Sequence, residues 1–311
     1  MTEAGNASPQ GERALPRARQ LEGLSHQEVG SITHGDFWIP EREREVYKRA
    51  LRTLNAAGVP YVVAGAYAIY EHTGIYRQTK DLDVFLEPQH VVAAMRALRQ
   101  ENFVARLEQA HWLAKAIEGE HFVDLIYGMG NGLAPIDDAW YRHSKPAILA
   151  ATPVRVAPVE ELIWHRLFIN ERHRHDMADI VHLIFAVGPA MDWEWLLEKT
   201  GEHWPLLLSQ LLMFNYVYPE RDGGAPRWVM EELLKRAALD LERERTAEPV
   251  TRGRLISRFS FSIDVNEWRL RDVRDSSVRA TSALPVIQDI LRSDVWDERS
   301  PASEVTDGEP S

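Results

Sequence analysis

Asp81 and Asp83 head the apolar run Asp81-Leu82-Asp83-Val84-Phe85-Leu86, and this mix of charge and strand sequence limits the folds open to the chain. Period-two geometry puts both carboxylates on one face of a strand and Leu82 and Val84 on the other. Two like charges that close resist ionisation unless a cation lies between them. Mg²⁺ suits that place, being hard and bound through carboxylates together with substrate phosphate oxygens. A third carboxylate, Asp124, lies inside another apolar strand sequence, HFVDLIYG. If the two strands are neighbours, three carboxylates converge, a set able to hold two metal ions roughly 3.5–4 Å apart for in-line phosphoryl displacement.

The residues ahead of the pair fit the same scheme. Pro40 suits the first turn of a helix, Glu41 and Glu43 suit its positive end, and Val46, Ala50, Leu51 and Leu54 recur at helical spacing up to Gly58. Tyr61-Val62-Val63-Ala64 reads as a short buried strand broken by Gly65, and Ala66 to His72 as a short helix closed by Gly74. Gly65, lacking a Cβ, lets phosphate oxygens approach that helix N-terminus. After the second strand, Pro88 opens a helix bearing Val91, Val92, Met95 and Leu98. The spacing predicts strands over Phe103–Ile117 and His121–Tyr127, joined by a Glu118-Gly119-Glu120 hairpin turn.

Beyond Pro158 the periodicity turns helical in EELIWHRLFIN, DMADIVHLIFAV, DWEWLLEKT, WPLLLSQLLMFNYV and RWVMEELLKRAALDLERE. The expected organisation is a disordered tail over 1–35, an α/β core over 36–155, and a helical domain over 156–246. An Arg-rich segment over 247–285 follows, then a mostly disordered acidic tail over 286–311. Within the Arg-rich segment seven arginines face four acids between 251 and 279, and RFSFSIDV alternates like a strand.

Composition narrows the function classes. The 36 basic and 47 acidic residues give a formal net charge of −11, which argues against a surface that grips nucleic acid all over. With no cysteine there are no disulfides, thiolate metal sites or cysteine nucleophiles. No apolar leader opens the sequence and no stretch is long and apolar enough to span a bilayer, so the expectation is a cytoplasmic protein without membrane contact.

The run VAGAYAIYEHTGIYRQTKDLDVFL resembles the signature of the nucleotidyltransferase-fold superfamily, which includes DNA polymerase beta, antibiotic nucleotidyltransferases and AbiEii-type toxins. The longer stretches HWLAKAIEGEHFVDLIYGMGNG, ELIWHRLFINERHRHDMADIVHLI and LISRFSFSIDV are similar to uncharacterised bacterial nucleotidyltransferase-like proteins. The resemblance spans about residues 45 to 272. It implies an α+β (α/β) fold, with a small mixed sheet flanked by helices and followed by a helical domain. It also implies an enzyme of EC class 2.7.7, which moves a nucleoside monophosphate from an NTP such as ATP to an acceptor hydroxyl of an RNA, a protein or a small molecule. Asp81, Asp83 and Asp124 then stand as catalytic and metal-binding residues for two Mg²⁺ ions, with Mn²⁺ as substitute. Gly65, Ala66, Arg77, Thr79, Lys80 and Lys115 stand as nucleotide and phosphate ligands. Ala66 departs from the family's Gly or Ser and offers only its backbone N–H, which motivates the alternative of a catalytically weak binding or toxin–antitoxin-type module.

Other clusters have plainer readings beside their functional ones. His173, His175, Asp176, Asp179 and His182 form a charged helix start more readily than a metal site, with Asp176 favoured by the helix dipole. The resemblance places Arg166, Asp176 and Asp179 over the nucleotide site, with Asp179 orienting a base or a basic residue. Met129-Gly130-Asn131-Gly132 reads either as a nucleotide-contacting loop or as a turn, and the arginines of 252–279 either hold phosphate or pair with acids.

Overall fold

The computed structural model describes residues 39–172, 174–220, 224–244 and 248–295, so the expected tail over 1–35 and the acidic end from 296 lie outside the described residues. The chain folds as helix α1 (Glu41–Ala56), strand β1 (Val62–Val63), helix α2 (Gly65–Thr73), strand β2 (Asp81–Phe85) and helix α3 (Val91–Gln100). Strands β3 (Val104–Gln109), β4 (Leu113–Glu118) and β5 (His121–Ile126) follow, then helix α4 (Ala139–Arg142) and strands β6 (Lys145–Leu149) and β7 (Thr152–Val156). Among the described residues these strands form one mixed sheet in the order β3-β4-β5-β2-β1-β7-β6. The fold is α+β.

Local chemistry sets the boundaries. Gly58 and Gly74 both take left-handed backbone (φ 65° and 72°), and the Gly74 N–H closes α2 on Tyr70 O at 2.6 Å. α1 buries Val46, Tyr47, Ala50, Leu51 and Leu54 on one face, and α1 and α3 pack against the sheet. β1 runs antiparallel to β2 but parallel to β7, and β2 runs parallel to β5. The two parallel pairings require crossovers, and the β2-to-β5 crossover contains α3 and the β3–β4 hairpin.

The expected strand over Phe103–Ile117 is two strands. The chain turns at Ala110-His111-Trp112, where the buried Tyr127 hydroxyl donates to Gln109 O (3.0 Å) and Ala110 O (3.1 Å). β7 extends the sheet to Val156, which pairs with Val63, one residue past the expected edge of the core.

Helices α5 (Val159–Arg166), α6 (Met177–Val187), α7 (Trp193–Thr200), α8 (Trp204–Val217) and α9 (Arg227–Glu242) fall where the periodic runs place them. After them come strand β8 (Val250–Thr251), helices α10 (Gly253–Ile256) and α11 (Ser262–Asn266), strand β9 (Arg271–Asp272), and helices α12 (Val273–Ser282) and α13 (Pro285–Arg292). RFSFSIDV is therefore turn and helix, not strand. Local bonds turn the chain here: Ser260 N–H donates to Oγ of Ser257, the residue just before the run (3.1 Å), and Ser262 Oγ donates to Phe259 O (2.8 Å). Such bonds offer the backbone an alternative to a ladder and imitate the polar half of an alternating pattern.

Of the tail expected to be mostly disordered over 286–311, the described part, 286–295, is ordered. α13 buries Ile287 and Ile290, and Val295 is buried beyond it. Arg96 holds Asp294 (2.5 Å) and Arg99 donates to Val295 O (2.9 Å), tying this segment to α3. The acidic composition after 293 hid an amphipathic helix just before it. Ile290→Ala is expected to lower unfolding free energy by about 2–5 kcal/mol, the cost of a buried cavity, read from the midpoint of urea denaturation.

Candidate active site

The parallel register of β2 and β5 sets Asp83 directly opposite Asp124, and the antiparallel register of β4 and β5 sets Lys115 opposite Asp124. Asp81, Asp83 and Asp124 thus share one sheet face, and one ligand oxygen from each lies within 4.8 Å of the others. Leu82 and Val84 point into the core, as strand alternation requires. The donor set suits a hard divalent cation: three carboxylates, hemmed in by burial, at mutual distances that repel without one.

Burial pushes the Asp83 carboxyl up from 3.8 to about 7, reinforced by the charges of Asp81 and Asp124 and opposed by Arg174 and Arg166. Burial also raises Asp124, against the pull of the Lys115 ammonium 2.6 Å away. Lys115 lies over the Phe122 ring as well, 4.2 Å from its centroid. Its ammonium braces Asp124. Thr79 is placed likewise: its hydroxyl donates to Asp81 Oδ1 at 2.6 Å and holds that carboxylate.

Gly65 begins α2 at φ 56°, and a Cβ there would overlap the Asp83 carboxylate. The residue is thus fixed as glycine by backbone conformation and by contact. Ala64 N–H donates to Asp83 O (3.0 Å), bringing the start of α2 against β2. The first α2 hydrogen bond is Ala68 N–H to Ala64 O, so the amides of Gly65 and Ala66 at the helix head have no partner within the helix.

Asp81, Asp83, Asp124, Thr79, Gly65 and Ala66 line a cleft of about 670 Å³ together with Arg77, Arg166, Arg174, Asp176 and Asp179, while Lys115 lies outside its lining. Arg77 is ion-paired with Asp179. The buried Arg166 lies 3.4 Å from Asp179, 3.7 Å from Asp176 and 3.5 Å from Gly65 O, so one guanidinium ties α5 to α6 and to the head of α2. Asp176 and Asp179 therefore serve arginines. Lys80 is exposed and lies outside the cleft lining, contrary to its expected place among the phosphate ligands. Burial lowers His165 to about 3, keeping the imidazole neutral beside Phe85 (5.3 Å between ring centroids).

Sequence reasoning missed Arg174. It lies 3.3 Å from Asp176, and its charge is felt by both Asp83 and Asp81. Nothing in the run ERHRHD separates it from the neighbouring basic residues. Met129, Gly130 and Asn131 line the cleft, and Asn131 Nδ2 donates to Leu255 O (3.1 Å), so this loop carries the C-terminal segment. Arg254, Arg258 and Arg274 complete the wall.

No family model and no curated protein matches the chain. Solved structures do. The complex of ANT(2")-Ia with adenylyl-2"-tobramycin is 16% identical over 57% of this chain and 99% of its own, with a TM-score of 0.34. The lincomycin-bound lincosamide antibiotic adenylyltransferase LnuA is 15% identical over 47% of this chain and 96% of its own, with a TM-score of 0.33. An antigenic nucleotidyltransferase-like protein from Paracoccidioides brasiliensis is 12% identical over 55% of this chain and 93% of its own, with a TM-score of 0.34. No helix among the described residues is long and apolar enough to cross a membrane.

Two outcomes follow from the carboxylate geometry. Gly65→Ala is expected to displace Asp83 and weaken Mn²⁺ binding at least about tenfold, measured by paramagnetic titration, because the new Cβ occupies the carboxylate's place. The second concerns pH. Between 3.8 and about 7 the folded Asp83 keeps a proton that the unfolded chain has lost. Its contribution to metal-free stability therefore falls as pH rises across that window and is constant above it. Divalent binding displaces that proton, so affinity is expected to rise about tenfold per pH unit below about 7 and then level, by calorimetric titration from pH 5.5 to 8.5.

Proposed function

We propose that the chain is a metal-dependent nucleotidyltransferase that moves a nucleoside monophosphate from an NTP to an acceptor hydroxyl and releases pyrophosphate. The observation that carries this reading is the meeting of Asp81, Asp83 and Asp124 on one sheet face beside the glycine-led head of α2. Held by these three carboxylates, two Mg²⁺ ions, or Mn²⁺ in their place, would neutralise the triphosphate and acidify the acceptor hydroxyl.

The chain's own groups divide the remaining work. The amides at the head of α2 supply fixed donors for phosphate oxygens, and the helix dipole adds to them. Ala66 contributes its backbone N–H alone. Arg174, more exposed than Arg166 and close enough for Asp83 and Asp81 to feel its charge, offsets negative charge spreading over the transferring phosphoryl group. Asp124 engages Lys115 through Oδ1, leaving Oδ2 to accept the hydroxyl proton. The hydroxyl oxygen forms a bond to the α-phosphorus as the bond to the bridging oxygen breaks, and pyrophosphate leaves with that electron pair. Lys115 fixes Asp124, and Thr79 fixes Asp81.

One feature favours a second reading, a weakly catalytic binding module: position 66 has no side-chain hydroxyl to present to phosphate. An α-³²P-NTP assay against cell extract separates the two. The transferase labels an acceptor, and Asp83→Asn and Asp81→Asn each reduce labelling about a hundredfold or more, several kcal/mol of lost transition-state stabilisation. Equal labelling by wild type and both variants overturns the assignment, and absence of label with intact Mg·NTP binding establishes the module.

A further inference from the structure

The C-terminal wall of the cleft holds two guanidiniums with no ion-pair partner among the described residues. Three other arginines of this segment are paired, Arg252 with Glu202, Arg254 with Asp272 (2.6 Å) and Asp275 (3.5 Å), and Arg271 with Glu248 (2.7 Å), while Arg269 and Arg279 are exposed and lie outside the cleft lining. The Arg258 guanidinium lies over its neighbour Phe259, 5.6 Å from the ring centroid. That of Arg274 donates to a neutral group, Gly130 O, at 3.0 Å. Both arginines are half-buried and both line the cleft.

The surroundings hold them in place. Glu171 accepts from Arg258 N–H (2.7 Å) and from Ser257 Oγ (2.6 Å), so its carboxylate is spent on the backbone and hydroxyl at the start of this wall. Asp272 accepts from Arg274 N–H (2.8 Å) and from the Arg254 guanidinium. Each acid nearby thus fixes the backbone or serves Arg254. The positive charges of Arg258 and Arg254 add to burial in disfavouring the Arg274 cation. A chain with an acidic excess of 11 had carboxylates available to relieve this and leaves the pair facing the cleft. Beside them the half-buried Trp112 indole lines the same cleft and packs against Gly130, where a Cβ would meet the ring at 3.5 Å.

We propose that Arg258 and Arg274 form an anion subsite that holds a phosphate group of the acceptor, with Trp112 offering a flat surface to the part that carries it. This rests on the transferase reading and names its acceptor class: a phosphate-bearing molecule, with polycations repelled. Guanidinium forks suit phosphate oxygens in geometry and charge. The nucleotide's own phosphates have separate donors in Arg174 and the head of α2.

The test titrates inorganic phosphate into the full chain in EDTA and follows the arginine Nε–H resonances by NMR. The expected result is saturable shifts at the Arg258 and Arg274 Nε–H groups and at the nearby backbone amides of Gly130 and Ser257, and phosphate binding read at those amides weakens at least about tenfold in the R258Q/R274Q double variant. Absence of saturable shifts, or an unchanged response in R258Q/R274Q, overturns the subsite. Repeating the titration with Mg²⁺ and α,β-methylene-ATP identifies the phosphate's source: persistent shifts support the acceptor, and loss of them assigns the subsite to the nucleotide and overturns the proposal. Phosphate binding in EDTA needs no divalent ion, so its outcome is independent of the labelling assay on Asp81 and Asp83.

Discussion

Three carboxylates on one sheet face repel one another, and the protein keeps them together through backbone register. Strand β2 places Asp81 and Asp83 two residues apart, and the parallel pairing of β2 with β5 brings Asp124 alongside Asp83. A shift of either strand by one residue would send its carboxylates into the core and its valines into the cleft. The apolar face therefore fixes the polar one: Leu82, Val84, Val123 and Leu125 are all buried, and their burial secures the register that gathers the charges.

The repulsion is answered in layers. Lys115 reaches Asp124 across the β4–β5 ladder, and Thr79 supplies a neutral donor to Asp81. Asp83, against the head of α2, has no such side-chain partner among the described residues, and its carboxyl readily keeps its proton. That distribution suits a site whose charge is completed from outside. A fully braced trio would have little reason to take up a cation, whereas a trio with one unsatisfied member gains from it.

Much of the site was legible in the sequence because its parts are local. The Asp-x-Asp spacing, Gly65 before a helix and Asp124 inside an apolar strand each follow from short-range periodicity. The roles of Lys115, Thr79 and Arg77 were not legible, because each depends on which group lies across a strand or a helix. A lysine at a strand position reads the same whether it meets phosphate or carboxylate. The C-terminal segment misled for a related reason: alternating Ser and Phe in RFSFSIDV matches a strand pattern, while Ser260 N–H and Ser262 Oγ are engaged in local turn bonds. The amphipathic α13 was hidden because composition averaged it with the acidic residues that follow it.

The walls of the cleft are fastened by different means. On the side of α5 and α6, Arg166 is buried between Asp176, Asp179 and the carbonyl of Gly65, and Arg77 grips Asp179 from the sheet side. Pulling that wall away would strand several charges in a poorly solvated interior, a costly excursion. The C-terminal wall meets the loop at 129–132 through an amide, a hydroxyl and one guanidinium, each bonded to a carbonyl oxygen. Those contacts exchange for water with far smaller penalty. Glu171 still holds the start of that wall through Ser257 and Arg258, so the least costly place for the cleft to open is the seam along 129–132.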